Sequence, residues 1–261
     1  MFIDTHSHLN LEQFVDDFRF VFERMEASGV RTQTVGVDVE SSQYALQLAQ
    51  EFPHMTRAIV GIHPAYVEKD HNYDNDLLGI REIISDSLCV GIGECGFDFF
   101  RCDKSEIYDA QASVFRRQID YAVESKKPLM LHLRPTKGTT DAYADALDML
   151  SPYKGNVTGQ AHFFAGTLAQ AGQFLDMGFY ISCTGVVTFT RDYDDLIRYV
   201  PVDRLLLETD APYVAPTPFR GSRCEPQYVV EVYKRVALLK NMPIEELCTR
   251  MTDNVLGLYG W

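Results

Sequence analysis

Eight times along this chain a short apolar run gives way to a stretch whose apolar residues recur at helical spacing, with no linker or repeat between the units. Strands are predicted over residues 1–10, 32–38, 56–63, 88–94, 127–134, 157–162, 179–183 and 204–208. The first seven lead into helices predicted over 11–28, 41–52, 77–84, 105–125, 143–150, 168–175 and 196–200. Two more, over 229–239 and 244–258, close the chain. Gly29 ends the first helix as a left-handed cap, and Pro53 stands just beyond the second. Eight such units in 261 residues predict a single-domain (β/α)8 barrel covering residues 1–261. An open doubly wound sheet shows the same alternation. The polar residues at the strand ends decide between the two.

A hydrophobic content of 46% suffices for a sizeable core, and a charged content of 23% gives no sign of disorder. No run of about 18 apolar residues is present, so no membrane span is expected. The N-terminus starts directly on a strand and lacks the basic and apolar regions of a signal peptide. The six cysteines form no Cys-x-x-Cys pair, which favours a reduced, cytoplasmic protein over a disulfide framework. A formal net charge of −13 argues against broad nucleic-acid binding through a basic surface. Bound divalent metals would invert that charge locally.

The polar residues at the C-terminal ends of the predicted strands are His6, His8, His63, Glu94, His132, His162 and Asp210. Of the seven histidines, only His54 and His71 fall outside this set. In a barrel these ends converge on one face, where active sites of the fold lie. His6 and His8, two apart on a strand, share a face, and Asp4 sits one layer deeper, where it supports the strand. Four histidines and two carboxylates are too many for one tetrahedral ion but suit two ions sharing a bridging carboxylate. Two divalent metals roughly 3.5–4 Å apart activate a water and stabilise a leaving oxygen. The residues alone therefore point to a dinuclear metallohydrolase. Cys95 adjoins Glu94 on the opposite face and is expected to pack.

Six stretches then carry a family resemblance: Phe2-Ile-Asp-Thr-His-Ser-His8, Gly61-Ile-His-Pro64, Gly91-Ile-Gly-Glu-Cys-Gly-Phe-Asp98, Pro128-Leu-Met-Leu-His-Leu-Arg134, Leu205-Leu-Leu-Glu-Thr-Asp-Ala-Pro-Tyr213 and Glu225-Pro226. Nearly end to end, the chain resembles the TatD family of metal-dependent deoxyribonucleases, within the amidohydrolase-like barrels. The resemblance implies that His6, His8 and Asp210 hold one metal, that His132 and His162 hold the other, and that Glu94 bridges them. Many amidohydrolase relatives carry a carboxylated lysine at that bridge. It further implies that His63 faces the substrate phosphate. Arg134, on the same strand face as His132, reaches for that phosphate or else forms an ordinary salt bridge. Asp210 is expected also to orient the attacking water. Glu208 is expected to hold a ligand histidine by that ring's free N–H. Arg220 and Arg223, in a Gly-Ser loop, are expected to touch substrate.

The expected activity is hydrolysis of DNA, from the 3′ end of single strands, with two Mg²⁺ or Mn²⁺ ions and Zn²⁺ as the other candidate. DNA repair or degradation is one setting for it, and diverged relatives also occur in multi-protein antiphage defence systems. Two alternatives remain open: a zinc amidohydrolase or esterase acting on a small molecule or aminoacyl-tRNA, and a subunit acting mainly within a complex. The departures from the family pattern are Cys224 where it has asparagine, Phe163-Phe-Ala165 after His162, and Pro135-Thr-Lys-Gly-Thr139 after Arg134. None replaces an expected ligand. All fall in loops where specificity is set.

Overall fold

The computed structural model describes residues 1–261. Its strands are β1 (Phe2–Ser7), β2 (Val30–Val35), β3 (Thr56–Val60), β4 (Cys89–Asp98), β5 (Leu129–Arg134), β6 (Gly159–Ala161), β7 (Tyr180–Cys183) and β8 (Leu205–Leu207). Between and after them run α1 (Phe18–Ala27), α2 (Val39–Glu51), α3 (Asp74–Ile84), α4 (Lys104–Ser125), α5 (Asp141–Leu150), α6 (Leu168–Asp176), α7 (Asp194–Tyr199), α8 (Val229–Lys240) and α9 (Ile244–Tyr259). The strands pair in parallel in strict sequence order, β1 through β8. Residues at the end of β1 and just past β8 close the ring: the His8 amide donates to the Ala211 carbonyl at 2.7 Å, and the Asp210 amide donates to the His6 carbonyl at 2.9 Å. The fold is a (β/α)8 barrel, with neighbours in sequence also neighbours in space, and the open-sheet alternative is excluded.

Asp4 holds the same seam from inside. Its carboxylate accepts the Thr209 amide at 2.8 Å, the Thr209 hydroxyl at 2.6 Å and the His6 amide at 3.2 Å. Burial pushes this carboxyl well above the usual carboxylate range, and the Thr209 bonds only partly oppose that. Asp4 thus sits below the polar face, fastening the first strand to the end of the last.

Two apolar shells position the rest. Inside the barrel, Ile3, Val35, Ile59, Met130 and Leu206 pack in a layer that α9 plugs with Val255 and Tyr259. Above this plug lies a polar layer centred on Gln160. Its amide donates to Glu208 Oε2 at 2.6 Å and to Thr5 Oγ1 at 3.0 Å, while its carbonyl accepts the Tyr259 hydroxyl at 3.0 Å. Outside, the inward faces of the helices bury Phe22, Met25, Phe115 and Phe174 against the strands. Each such side chain contributes roughly 1.5–3 kcal/mol. Cys95 belongs to this outer shell, facing away from Glu94.

Among the boundaries that differ from the sequence expectation, three have a local physical cause. The first helix breaks in two, a single 3-10 turn at Glu12–Phe14 and then α1, with the break at Asp17. That residue leaves helical geometry (φ −138°), and its carboxylate is gripped by Arg223. The third helix starts at Asp74, three residues early, because the Asn72 side chain accepts the Asp74 amide and Asp74 and Asp76 suit the positive helix end. The fourth strand runs on to Asp98, paired with β5 as far as Arg134, and this extension changes the composition of the site.

Candidate metal centre

Glu94 enters the barrel mouth on a strand that only glycine allows to come so near its neighbour. A Cβ on Gly93 would lie 2.3 Å from the Met130 carbonyl oxygen, and one on Gly96 2.4 Å from that of His132. Their φ values of +145° and +135° are also closed to most L residues. The glycines flanking Glu94 therefore press β4 onto β5 and bring the carboxylate to His132.

The two oxygens of Glu94 divide the centre. Oε2 lies 3.4 Å from His6 Nε2 and 3.6 Å from His8 Nε2. Oε1 lies 2.6 Å from His132 Nδ1, 3.3 Å from His63 Nε2 and 3.7 Å from His162 Nε2. Asp210 closes the first side, with Oδ1 3.7 Å from His6 and 3.6 Å from His8. Donor atoms of His6, His8 and Asp210 fall within 4.8 Å of one another, as do those of His63, Glu94 and His132, and those of His6, His162 and Glu208.

Hydrogen bonds fix which nitrogen each ring offers. His8 Nδ1 donates to the Val35 carbonyl at 2.9 Å, leaving the Nε2 lone pair facing inward. His132 Nε2 donates to Asp98 Oδ2 at 3.2 Å, so Nδ1 is the inward atom. His63 is the opposite case: Nδ1 accepts the Ala65 amide at 2.9 Å, so Nε2 carries a hydrogen and presents a donor rather than a lone pair. His162 Nδ1 lies 3.0 Å from Glu208 Oε1, off line for a hydrogen bond, and that oxygen accepts the Phe163 amide at 2.7 Å.

These arrangements fit a cation. The Nε2 atoms of His6 and His8 stand 3.0 Å apart, a spacing that either a shared hydrogen or a cation bridges, and the buried His6 Nδ1 has no protein partner. The titration behaviour agrees. Burial opposes the charge on Glu94, but His63, His6 and His162 outweigh it and hold the carboxyl well below its usual range. Burial also pushes the His162 imidazole down, yet Glu208 and Glu94 carry it up to about 10. The carboxylates that favour an imidazolium at His162 also suit a bound cation beside it. Burial and His132 push His63 down to about 4, so its ring is neutral at ordinary pH.

The centre floors a cavity of about 510 Å³. Among the expected site residues His8, His63, Glu94, His132, His162, Asp210 and Arg134 line it; His6 and Glu208 lie beneath. The Arg134 guanidinium rests 4.1 Å from the Phe100 ring centroid instead of entering a salt bridge. Arg220 and Arg223 do not reach the cavity. Arg220 donates to the Ala215 carbonyl and stacks on Phe189 at 3.9 Å. Arg223 is fully engaged by Asp17 at 2.7 Å and Glu225 at 3.0 Å, which folds the Gly-Ser loop back onto α1. Cys224 is buried away from the mouth, whereas Pro135, Phe163 and Ala165 line it.

Tyr66, Asp98, Arg101 and Tyr213 line the cavity outside the expected set. Asp98 stands four positions beyond Glu94 on β4, hence on its face, a signal that a strand ending at Glu94 conceals. Arg101 follows in the next loop, and Tyr213 closes a stretch that was read only for Asp210.

A family model described as TatD related DNase matches residues 3–260. An uncharacterized metal-dependent hydrolase of Bacillus subtilis, YabD, is 38% identical over 99% of this chain and 99% of its own. Another, YcfH of Escherichia coli, is 33% identical over 98% of this chain and 95% of its own. Among solved structures, the TatD homologue YjjV of Escherichia coli superposes with a TM-score of 0.89 at 26% identity, covering 100% of this chain and 98% of that one.

Proposed function

Because the chain belongs to the TatD-related DNase family of metal-dependent hydrolases, we propose that it is a two-metal phosphodiesterase that shortens single-stranded DNA from its 3′ end. The observation that carries this reading is the division of Glu94, one oxygen toward His6 and His8 and the other toward His132 and His162. His6, His8 and Asp210 would hold one ion and His132 and His162 the other, with Glu94 between them. Mg²⁺ or Mn²⁺ suits turnover, and the imidazole-rich set also suits Zn²⁺. When bound, the ions supply Lewis acidity toward phosphoryl oxygens and lower the pKa of water.

The protein's own groups do the rest. Asp210 accepts the proton of the attacking water, whose oxygen bonds to phosphorus as the bond to the 3′ oxygen breaks. The departing 3′ oxygen recovers that proton, and a nucleoside 5′-monophosphate leaves. His63, neutral and with Nε2–H inward, donates to a non-bridging phosphate oxygen. Arg134 stands where the phosphate charge enters. The cavity arginines favour an anionic diester over the neutral amide or ester of a zinc amidohydrolase. End-labelled single-stranded DNA with Mg²⁺ or Mn²⁺ tests the proposal. Stepwise shortening from the 3′ end is expected, and Glu94→Gln should abolish it. Absence of cleavage above that control, with metal occupancy confirmed, overturns the assignment.

A further inference from the structure

Two exposed tyrosines and two arginines rim the metal centre, and none of them has a role in holding the barrel's metal ligands. Tyr213, directly after the Ala211-Pro212 turn, sets its ring 6.4 Å from that of His8. Tyr66, on the turn after β3, sets its ring 5.7 Å from that of His63. Both project from the cavity wall, with 48% and 56% of their surface exposed. Beyond these edge contacts, rings left this open keep surface free for solvent and are platforms for a planar partner.

The arginines are equally unspent. Arg101 and Arg134 are the only arginines or lysines lining the cavity. The cavity's carboxylates are turned elsewhere: Glu94 and Asp210 to His6 and His8, and Asp98 to His132. The nearby lysine, Lys104, pairs away from the mouth with Asp145. Arg134 is propped by Phe100 rather than by an acid. Two uncommitted guanidinium groups beside two uncommitted aromatic faces match phosphate and base, the two halves of a nucleotide.

The surrounding surface sets a limit on length. The chain carries 37 acidic against 24 basic residues, and Arg220 and Arg223, the remaining arginines expected to touch substrate, are consumed by internal contacts. A polyanion running beyond the cavity leaves these two guanidinium groups behind and continues over a chain of net negative charge.

We propose that Tyr66, Tyr213, Arg101 and Arg134 form a clamp for the terminal nucleotides of a single strand. The base lies against the tyrosines, the arginines neutralise about two phosphates, and binding is independent of strand length beyond that point. The clamp rests on the phosphodiesterase reading for its substrate class, yet it is read by binding, separately from turnover.

Dissociation constants of the metal-loaded protein for phosphorothioate-linked thymidine oligomers of two, three, five and ten nucleotides test it. They should level off by three nucleotides, and the slope of log affinity against log salt should be about −1.4, the value for two phosphates on a single strand. Arg101→Ala should lower that slope by about 0.7 in magnitude. Tyr213→Ala should weaken binding roughly tenfold, the order expected for one stacked base, with Tyr213→Phe restoring it. Affinity that keeps rising to ten nucleotides with a slope steeper than −3 overturns the clamp, as does unchanged binding in both alanine variants or no binding at all. Short-end binding without cleavage leaves the clamp standing and removes the hydrolytic reading. Cleavage of DNA by clamp variants that bind as well as wild type does the reverse.

Discussion

Asp98 Oδ2 accepts the Nε2–H of His132 across 3.2 Å, and this one bond decides which nitrogen of the ring faces Glu94. His132 sits on the side of the centre served by Oε1 of Glu94, so its orientation governs that side's geometry. Asp98 is buried, and although burial opposes its charge, the bond to His132 holds its carboxyl below the usual range.

Asp98→Ala is accordingly expected to leave the barrel folded and to weaken metal binding on the His132 side by about 10–100-fold, the usual cost of losing a partner that orients a ligand. Calorimetric titration of metal should show one affinity falling and the other nearly unchanged. Equal weakening of both would remove Asp98 from this role.

Gly96→Ala tests the close approach of β4 and β5. The new Cβ would stand 2.4 Å from a backbone oxygen of His132 at a φ of +135°. Neither strand can yield without moving Glu94 or His132. A loss of more than about 3 kcal/mol is expected from the combined strain and overpacking. Thermal unfolding of the variant at a melting temperature within two degrees of wild type would contradict it.

The ion-pair group of Arg223, Arg24, Asp17 and Glu225 gives a pH dependence. Arg223 holds the Asp17 carboxyl below its usual range. Burial alone would raise Glu225, but Arg24, Gln227 and Arg223 lower it. For groups with depressed folded pKa, the stability is present above the unfolded values near 4 and is lost as pH falls through the folded ones. Arg223→Ala should therefore lower the melting temperature at pH 7 by a few degrees, for a network contributing about 1 kcal/mol. The gap from wild type should close toward pH 3. A gap that widens on acidification would reverse the assignment.

Tyr259→Phe removes the hydroxyl donated to Gln160 at 3.0 Å and leaves a buried carbonyl short of a partner. The cost is expected to be about 1–2 kcal/mol. Differential scanning calorimetry should show a drop of roughly 2–6 °C for a chain of this size. No change in melting temperature would mean that the Gln160 carbonyl finds another donor.

The barrel was legible because alternation repeated over eight units is hard to imitate. The convergence of the expected ligands was legible because strand ends in this fold meet in space. The misplacements share one cause, which is that local pattern does not report what a loop docks against. Arg220 and Arg223 looked like a basic pair free for substrate, since Asp17, which claims Arg223, lies some two hundred residues earlier. The same pairing breaks the first helix at Asp17, where apolar spacing alone runs straight through. Asp98 was hidden by glycine: the Gly93-Glu-Cys-Gly96 run reads as a strand ending, whereas here its glycines allow the strand to continue pressed against β5.

The seam between β1 and the end of β8 has a consequence in time. His6 and Asp210 share a hydrogen bond at 2.9 Å between backbones that emerge during synthesis about two hundred residues apart. A ribosome that has made seven strands has already produced His6, His8, Glu94, His132 and His162, but neither Asp210 nor the Thr209 that anchors Asp4. The half of the centre nearest the chain's beginning is thus completed last. The metal position proposed for His6, His8 and Asp210 is complete only once Asp210 has emerged, so a product that stops before it lacks one of the three proposed ligands.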